Sequence, residues 1–157
     1  MKIKRLTFSF SAMALVGIMA LPVSVSAADS KTMELNAYVE STYTLTIPSK
    51  TEIVFNSTST DLNGTLKVTG NVRPMQKVTV KAELNALHNA VQNTNLPYKL
   101  MSGAVEFQAA DWSETELRAA EPKELQLSVD IAAEDWNQAK GGEYQGNIVF
   151  TAELIRE

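Results

Sequence analysis

The run Lys77-Val78-Thr79-Val80-Lys81-Ala82-Glu83-Leu84 decides the fold. Val78, Val80, Ala82 and Leu84 fall on one side of an extended chain, and Lys77, Thr79, Lys81 and Glu83 on the other. Successive side chains of a strand point to opposite faces, so this period predicts a β-strand with one buried and one wet face. Downstream, Leu125, Leu127, Val129 and Ile131 repeat the pattern against Gln126, Ser128 and Asp130, and Gly146, Ile148, Phe150, Ala152 and Leu154 repeat it again. Upstream, the turn signal Asn63-Gly64 precedes Leu66, Val68, Gly70 and Val72 on one face. Tyr43, Leu45 and Ile47 alternate with Thr44 and Thr46 until Pro48, which cannot donate to a ladder. Met33, Leu35, Ala37 and Val39 alternate with polar residues nearer the N-terminus, and Ile53-Val54-Phe55 reads as a short apolar strand.

Runs of this kind, spaced by turn-forming residues, predict an all-β chain: an Ig-like antiparallel β-sandwich of about seven strands. Two stretches have helical spacing instead. Ala82–Val91 places Leu84, Leu87 and Val91 at helical intervals, and Ala109–Ala120 offers a turn of helix capped by Ser113 with Glu116 at the capping-box position. Strand connections often contain one helical turn, so neither changes the class.

Residues 1–27 set the compartment. Lys2, Lys4 and Arg5 precede an uncharged run from Leu6 to Leu21, Pro22 ends it, and Val25-Ser26-Ala27 supplies small residues at the −3 and −1 positions. This order is that of a secretory signal peptide, cleaved after Ala27 or Ala28. A membrane span needs ~20 apolar residues, and Ser9, Ser11 and Gly17 interrupt this run. The expectation is a single exported domain over 28–157, extracellular or at the cell surface, with no membrane span after cleavage.

Removing 1–27 takes away three of 14 basic residues and none of 18 acidic ones, leaving 11 against 18 and a formal charge of −7. An acidic domain without a basic stripe repels phosphate backbones and anionic lipid, so no nucleic-acid partner is expected. The chain has no cysteine, which removes thiol catalysis, zinc–thiolate sites and disulfides. A mature domain of 130 residues buries about two-thirds of its unfolded surface and can stand without disulfides.

No catalytic constellation emerges, and no cofactor or metal is expected. His88 is the one histidine, and no G-x-S-x-G surrounds any serine. Asp61, Asn63 and Gly64 supply too few oxygen ligands for calcium, and the Asn-Gly pair reads more simply as a turn. A glycosidase needs two carboxyls about 5–10 Å apart across a cleft. Asp111, Glu114, Glu116, Glu121, Glu124, Glu134 and Asp135 qualify by number alone. Asn56-Ser57-Thr58 and Asn63-Gly64-Thr65 match the glycosylation sequon and mark exposed loops. Trp112 and Trp136 are the candidate partner-binding residues, since loop aromatics stack on sugars or anchor interfaces. The alternative is that each plugs one end of the core, the commoner fate of a tryptophan.

The stretch Asp135–Leu154, DWNQAKGGEYQGNIVFTAEL, resembles the closing segment of a set of secreted bacterial β-sandwich proteins. The matching residues are Trp136, Gly142, Tyr144, Gly146, Ile148 and Phe150. Tyr43–Pro48, Val68–Val72 and Gln76–Val80 resemble earlier strands of the same set. This resemblance implies a surface location and the fold, and no activity. The G-x-Y-x-G-x-[IV] ending is also similar to subunits of adhesive fimbriae. That likeness implies an Ig-like sandwich completed by an N-terminal strand from the next subunit, with Met33–Val39 in the donor position.

These readings predict a non-catalytic secreted or cell-surface structural or binding module, with other surface proteins or an extracellular glycan as partners and oligomers formed through edge strands. The alternatives are a pilus-type subunit assembling by strand donation and, more remotely, a carbohydrate-active enzyme. Met33, Leu35, Ala37 and Val39 are the strand-pairing candidates, expected to pair within their own chain near Gly146–Leu154.

Overall fold

The computed structural model describes residues 31–157, so the predicted signal peptide lies outside the described residues. The chain divides into two units, Met1–Ala37 and Tyr38–Glu157. The described part of the first, residues 31–37, has neither helix nor strand and is exposed throughout.

The second unit is mostly β. In chain order its strands are β1 (Thr42–Thr46), β2 (Ser59–Asn71), β3 (Gln76–Leu84), β4 (Leu87–Asn89), β5 (Thr94–Leu96) and β6 (Lys99–Ser102). They continue with β7 (Val105–Glu106), β8 (Ala109–Ser113), β9 (Glu124–Asp130) and β10 (Ile148–Arg156). Helix α1 (Glu114–Leu117) follows β8, and α2 (Ala133–Gln138) follows β9. One sheet has five strands in the order β1-β2-β9-β6-β7, a second has three in the order β10-β3-β8, and β4 pairs with β5. Every named pairing is antiparallel.

The period-two runs place the core. Leu66 and Val68 of β2, Leu127 and Val129 of β9, and Leu100 of β6 enter one apolar cluster from the five-stranded sheet. Val78 and Val80 of β3 and Trp112 of β8 enter the same cluster from the three-stranded sheet. Each such side chain stabilises the fold by about 1.5–3 kcal/mol relative to exposure. At the β1–β2 pairing the backbones meet closely, because a Cβ on Gly70 would overlap the Thr42 carbonyl and stand 2.8 Å from Tyr43 Cα. Only glycine fits there without moving β1.

Several local expectations change. Asn63-Gly64 is no chain reversal: β2 runs through it, with a register shift against β9 between Asp61 and Thr65. Gly64 has φ 93°, so the glycine serves a bulge inside the strand. Ile53-Val54-Phe55 lies outside every strand, and Val54 and Phe55 are exposed. Ala82–Val91 holds no helix; it completes β3 and enters β4. The capping box does form: Glu116 N–H donates to Ser113 Oγ (3.3 Å) and Ser113 N–H to Glu116 Oε2 (2.8 Å).

Met33, Leu35, Ala37 and Val39, the strand-pairing candidates, lie in no strand. Alternation prescribes which side chains a strand would bury; whether a ladder forms also depends on the partner strand, and that condition is non-local. Within the second unit, β10 is the edge of its three-stranded sheet.

Candidate functional site

Among the described residues strand β10 borders only β3, from Ile148↔Leu84 to Arg156↔Gln76. The Asn147 carbonyl, just before it, accepts from the Asn85 N–H on the β3 side (3.0 Å). The Ala152 carbonyl accepts from the Tyr43 hydroxyl (3.0 Å), away from β3. Backbone groups of an antiparallel strand alternate in direction, so Ile148, Phe150, Ala152 and Leu154 turn their N–H and C=O groups to the open edge. Of these, Ile148, Phe150 and Ala152 also pack against the core. Ile148, Phe150 and Ala152 are only half-buried, as is Leu45 of β1, and Leu154 is exposed. An edge with unpaired backbone groups and half-covered apolar side chains is a template for another strand.

Tyr43 and Leu45 belong to β1, the edge of the five-stranded sheet, so the Tyr43–Ala152 bond ties the edges of two sheets together. The chain entering β1 is fixed at the turn between β2 and β3. Ser41 Oγ donates to Gln76 Oε1 (2.7 Å), and the Arg73 N–H donates to both of these oxygens (3.1 Å each). The Arg73 guanidinium lies 4.5 Å from the centre of the Tyr38 ring. Gln76 is also the register partner of Arg156, so the root of the N-terminal segment sits beside the last residues of β10.

A second region lies near the start of β10. Trp136 on α2 is half-buried, its Nε1–H donates to the Ser57 carbonyl (2.9 Å), and its ring meets Phe55 edge-to-face at 5.5 Å. Tyr144 exchanges a hydrogen bond with the Thr94 hydroxyl (3.2 Å), and its oxygen accepts from the Lys140 N–H (3.0 Å). Phe55, Trp136, Tyr144, Asn56, Asn137 and Gly142 border a cleft of about 410 Å³. Trp112, the other candidate, is fully buried and donates Nε1–H to the Lys123 carbonyl (3.0 Å), so it has no surface to offer a partner. Its place inside β8, in register with Val78, turns the ring into the core.

The carboxylates considered for hydrolysis are mostly held by cations. Asp111 pairs with Lys77 (2.7 Å), Glu124 with Lys67 (3.0 Å), Glu114 with Arg118 (3.4 Å) and Glu116 with Lys123 (3.1 Å). Lys77, then the Thr79 hydroxyl, holds the Asp111 carboxyl below its ordinary pKa, and the same bond raises Lys77. His88 is exposed and shares a hydrogen bond with Asn95 (2.8 Å). Among the described residues no helix is long and apolar enough to cross a membrane.

Sequence reasoning found Trp136 and the apolar face of β10. It missed Phe55, read as a strand residue, although the adjoining Asn56-Ser57-Thr58 had marked an exposed loop. It also missed Tyr43, because a tyrosine at a strand edge has no signature until its acceptor on another sheet is placed. No protein-family model, curated protein or solved structure matches this chain.

Proposed function

We propose that this protein is a non-catalytic, secreted or cell-surface β-sandwich subunit that assembles with copies of itself by strand addition. In this reading the five- and three-stranded sheets, which share one core, are the two layers of an Ig-like sandwich. The likeness of Asp135–Leu154 to secreted surface proteins and fimbrial subunits supports the location and the manner of assembly.

One juxtaposition carries the proposal. β10 presents an open edge above half-covered apolar side chains, while the same chain has an alternating apolar segment that lies in no ladder. Thr32–Val39, fully extended, reaches about 26 Å, close to the length of β10. Met33, Leu35 and Val39 are 76%, 81% and 69% exposed. Burying each against a neighbour's core would stabilise assembly by about 1.5–3 kcal/mol per side chain before ordering costs. The new backbone hydrogen bonds would satisfy the groups of Ile148, Phe150 and Leu154.

Light scattering of the mature protein across a wide concentration range tests the assignment. Wild type is expected to form concentration-dependent head-to-tail oligomers. Leu35→Asp, which places a charge in the donated face, is expected to stay monomeric with an unchanged thermal midpoint. A wild-type protein that remains monomeric at every concentration refutes strand addition.

A further inference from the structure

The cleft near the start of β10 has a chemistry that edge pairing does not use. Phe55 is 71% exposed, beside Val54 at 72%, on a loop outside every ladder. Single exposed apolar residues are ordinary, but here an exposed phenylalanine meets a half-buried tryptophan and borders a concave surface. The cleft volume of about 410 Å³ lies within the range of small-ligand sites.

The walls of the cleft are held in place. Trp136 has its only polar atom bonded to Ser57, and Tyr144 has its hydroxyl bonded to Thr94 and Lys140, so neither ring is free to rotate into another role. Gly142 has φ 144°, and a Cβ there would overlap the Nδ2 of Asn89. Asn89 is itself fully buried, its Oδ1 accepting from the N–H groups of Val91 and Gln92 (3.1 Å each). The cleft is therefore lined at that point by bare backbone that the fold beneath requires. A ligand meeting these surfaces finds them preorganised, which limits the ordering cost of binding.

The polar lining selects the ligand class. It comprises the amides of Asn56 and Asn137, the backbone of Gly141 and Gly142, the Tyr144 hydroxyl and the single ammonium of Lys140, with no carboxylate. A divalent cation needs several oxygen ligands, carboxylates foremost. A polyanion would meet one cation on a domain of net charge −7, which disfavours it. A purely apolar anchor would bury the amides without partners. A pyranose satisfies both halves, because its C–H face packs on aromatic rings while its hydroxyls exchange hydrogen bonds with amides and backbone.

The geometry points to a binding site for a neutral oligosaccharide in the cleft between Phe55, Trp136 and Tyr144. The sugar stacks on the exposed Phe55 ring against the Trp136 wall, and Asn56, Asn137 and the Gly141-Gly142 backbone meet its hydroxyls. This assignment is independent of the strand-addition reading.

The mature protein, and its Leu35→Asp variant, would be titrated with cellotriose, triacetylchitotriose and mannotriose to about 10 mM, following backbone amide shifts by NMR. At least one trisaccharide is expected to shift Asn137, Gly141 and Gly142 saturably, and equally in both proteins, since oligomerisation plays no part. Phe55→Ala, on an exposed loop, is expected to keep the thermal midpoint and weaken binding at least about tenfold. Asn137→Ala is expected to weaken it several-fold, and Val105→Ala, exposed elsewhere, to leave it unchanged. Absence of saturable shifts with all three sugars overturns the site, as does unaltered affinity in Phe55→Ala. Loss of oligomers in Phe55→Ala without any sugar response would assign the cleft to a protein contact instead.

Discussion

The Tyr43 hydroxyl donates to the Ala152 carbonyl at 3.0 Å, joining the edge strand of one sheet to the edge strand of another. No other side chain donates to an outward-turned carbonyl of β10 among the described hydrogen bonds of this edge. The bond occupies an acceptor that an incoming strand would need, so the ring that steadies the open edge also stands in the way of pairing.

Tyr43→Phe separates these two effects. The ring still packs but Ala152 loses its donor, which is expected to cost about 0.5–1.5 kcal/mol of stability, at the low end because Tyr43 is 37% exposed. Assembly is expected to proceed faster, since the acceptor is vacant when a second chain arrives. Thermal denaturation and the time course of light scattering check the two parts separately. Slower assembly in the variant would mean that the hydroxyl organises the edge for pairing.

Acid is expected to destabilise the domain through three carboxylates. Lys77, then Thr79, lowers the pKa of Asp111. The Ser113 N–H, followed by smaller contributions including Lys123, lowers Glu116; Lys67, then Thr65, lowers Glu124. A carboxyl whose folded pKa is depressed gives stability that is fully present above its unfolded pKa and is lost as pH falls through the folded value. The thermal midpoint is therefore expected to hold down to the ordinary carboxylate range and to fall below it. Asp111→Asn should make that fall shallower, which calorimetry at a series of pH values would register. An identical slope in the variant would show that Asp111 gains nothing from its partners in the folded state.

How much of this was legible follows from which forces are local. Lys77–Leu84 and Leu125–Ile131 were readable because each strand has one face on the core, and period two records that directly. The Ser113–Glu116 capping box was readable because both hydrogen bonds close within four residues. Ile53–Phe55 misled because three apolar residues look alike in a strand and in a loop that buries part of Ile53 and exposes Val54 and Phe55. The bulge at Gly64 shares its glycine signal with a hairpin turn, and only the register against β9 tells them apart. For the candidate sites, composition marked both tryptophans equally. Burial then divided them, Trp112 within β8 and Trp136 on a short helix that no periodic run had announced.

Thr79 shows the same limit within the most legible strand, and it yields the sharpest stability test. Alternation assigns Thr79 to the wet face, so Thr79→Asp should be tolerated far better than Val80→Asp, which buries a charge. Thr79 is in fact 8% exposed and donates to Asp111 Oδ1 at 2.6 Å. It stands in the middle strand of its sheet, directly between Glu153 of β10 and Asp111 of β8. A carboxylate there would lose the hydroxyl donor and face an acid on either side, where like charges directly opposite are destabilising. Thr79→Asp is therefore expected to cost about 1–3 kcal/mol, while Val80→Asp prevents folding altogether. Asp111→Asn in the Thr79→Asp background should recover part of the loss, because it removes one of the two facing charges. Chemical denaturation of the two single variants and the double variant completes the cycle. Strict additivity would place the cost of Thr79→Asp in desolvation alone and remove Asp111 as its cause.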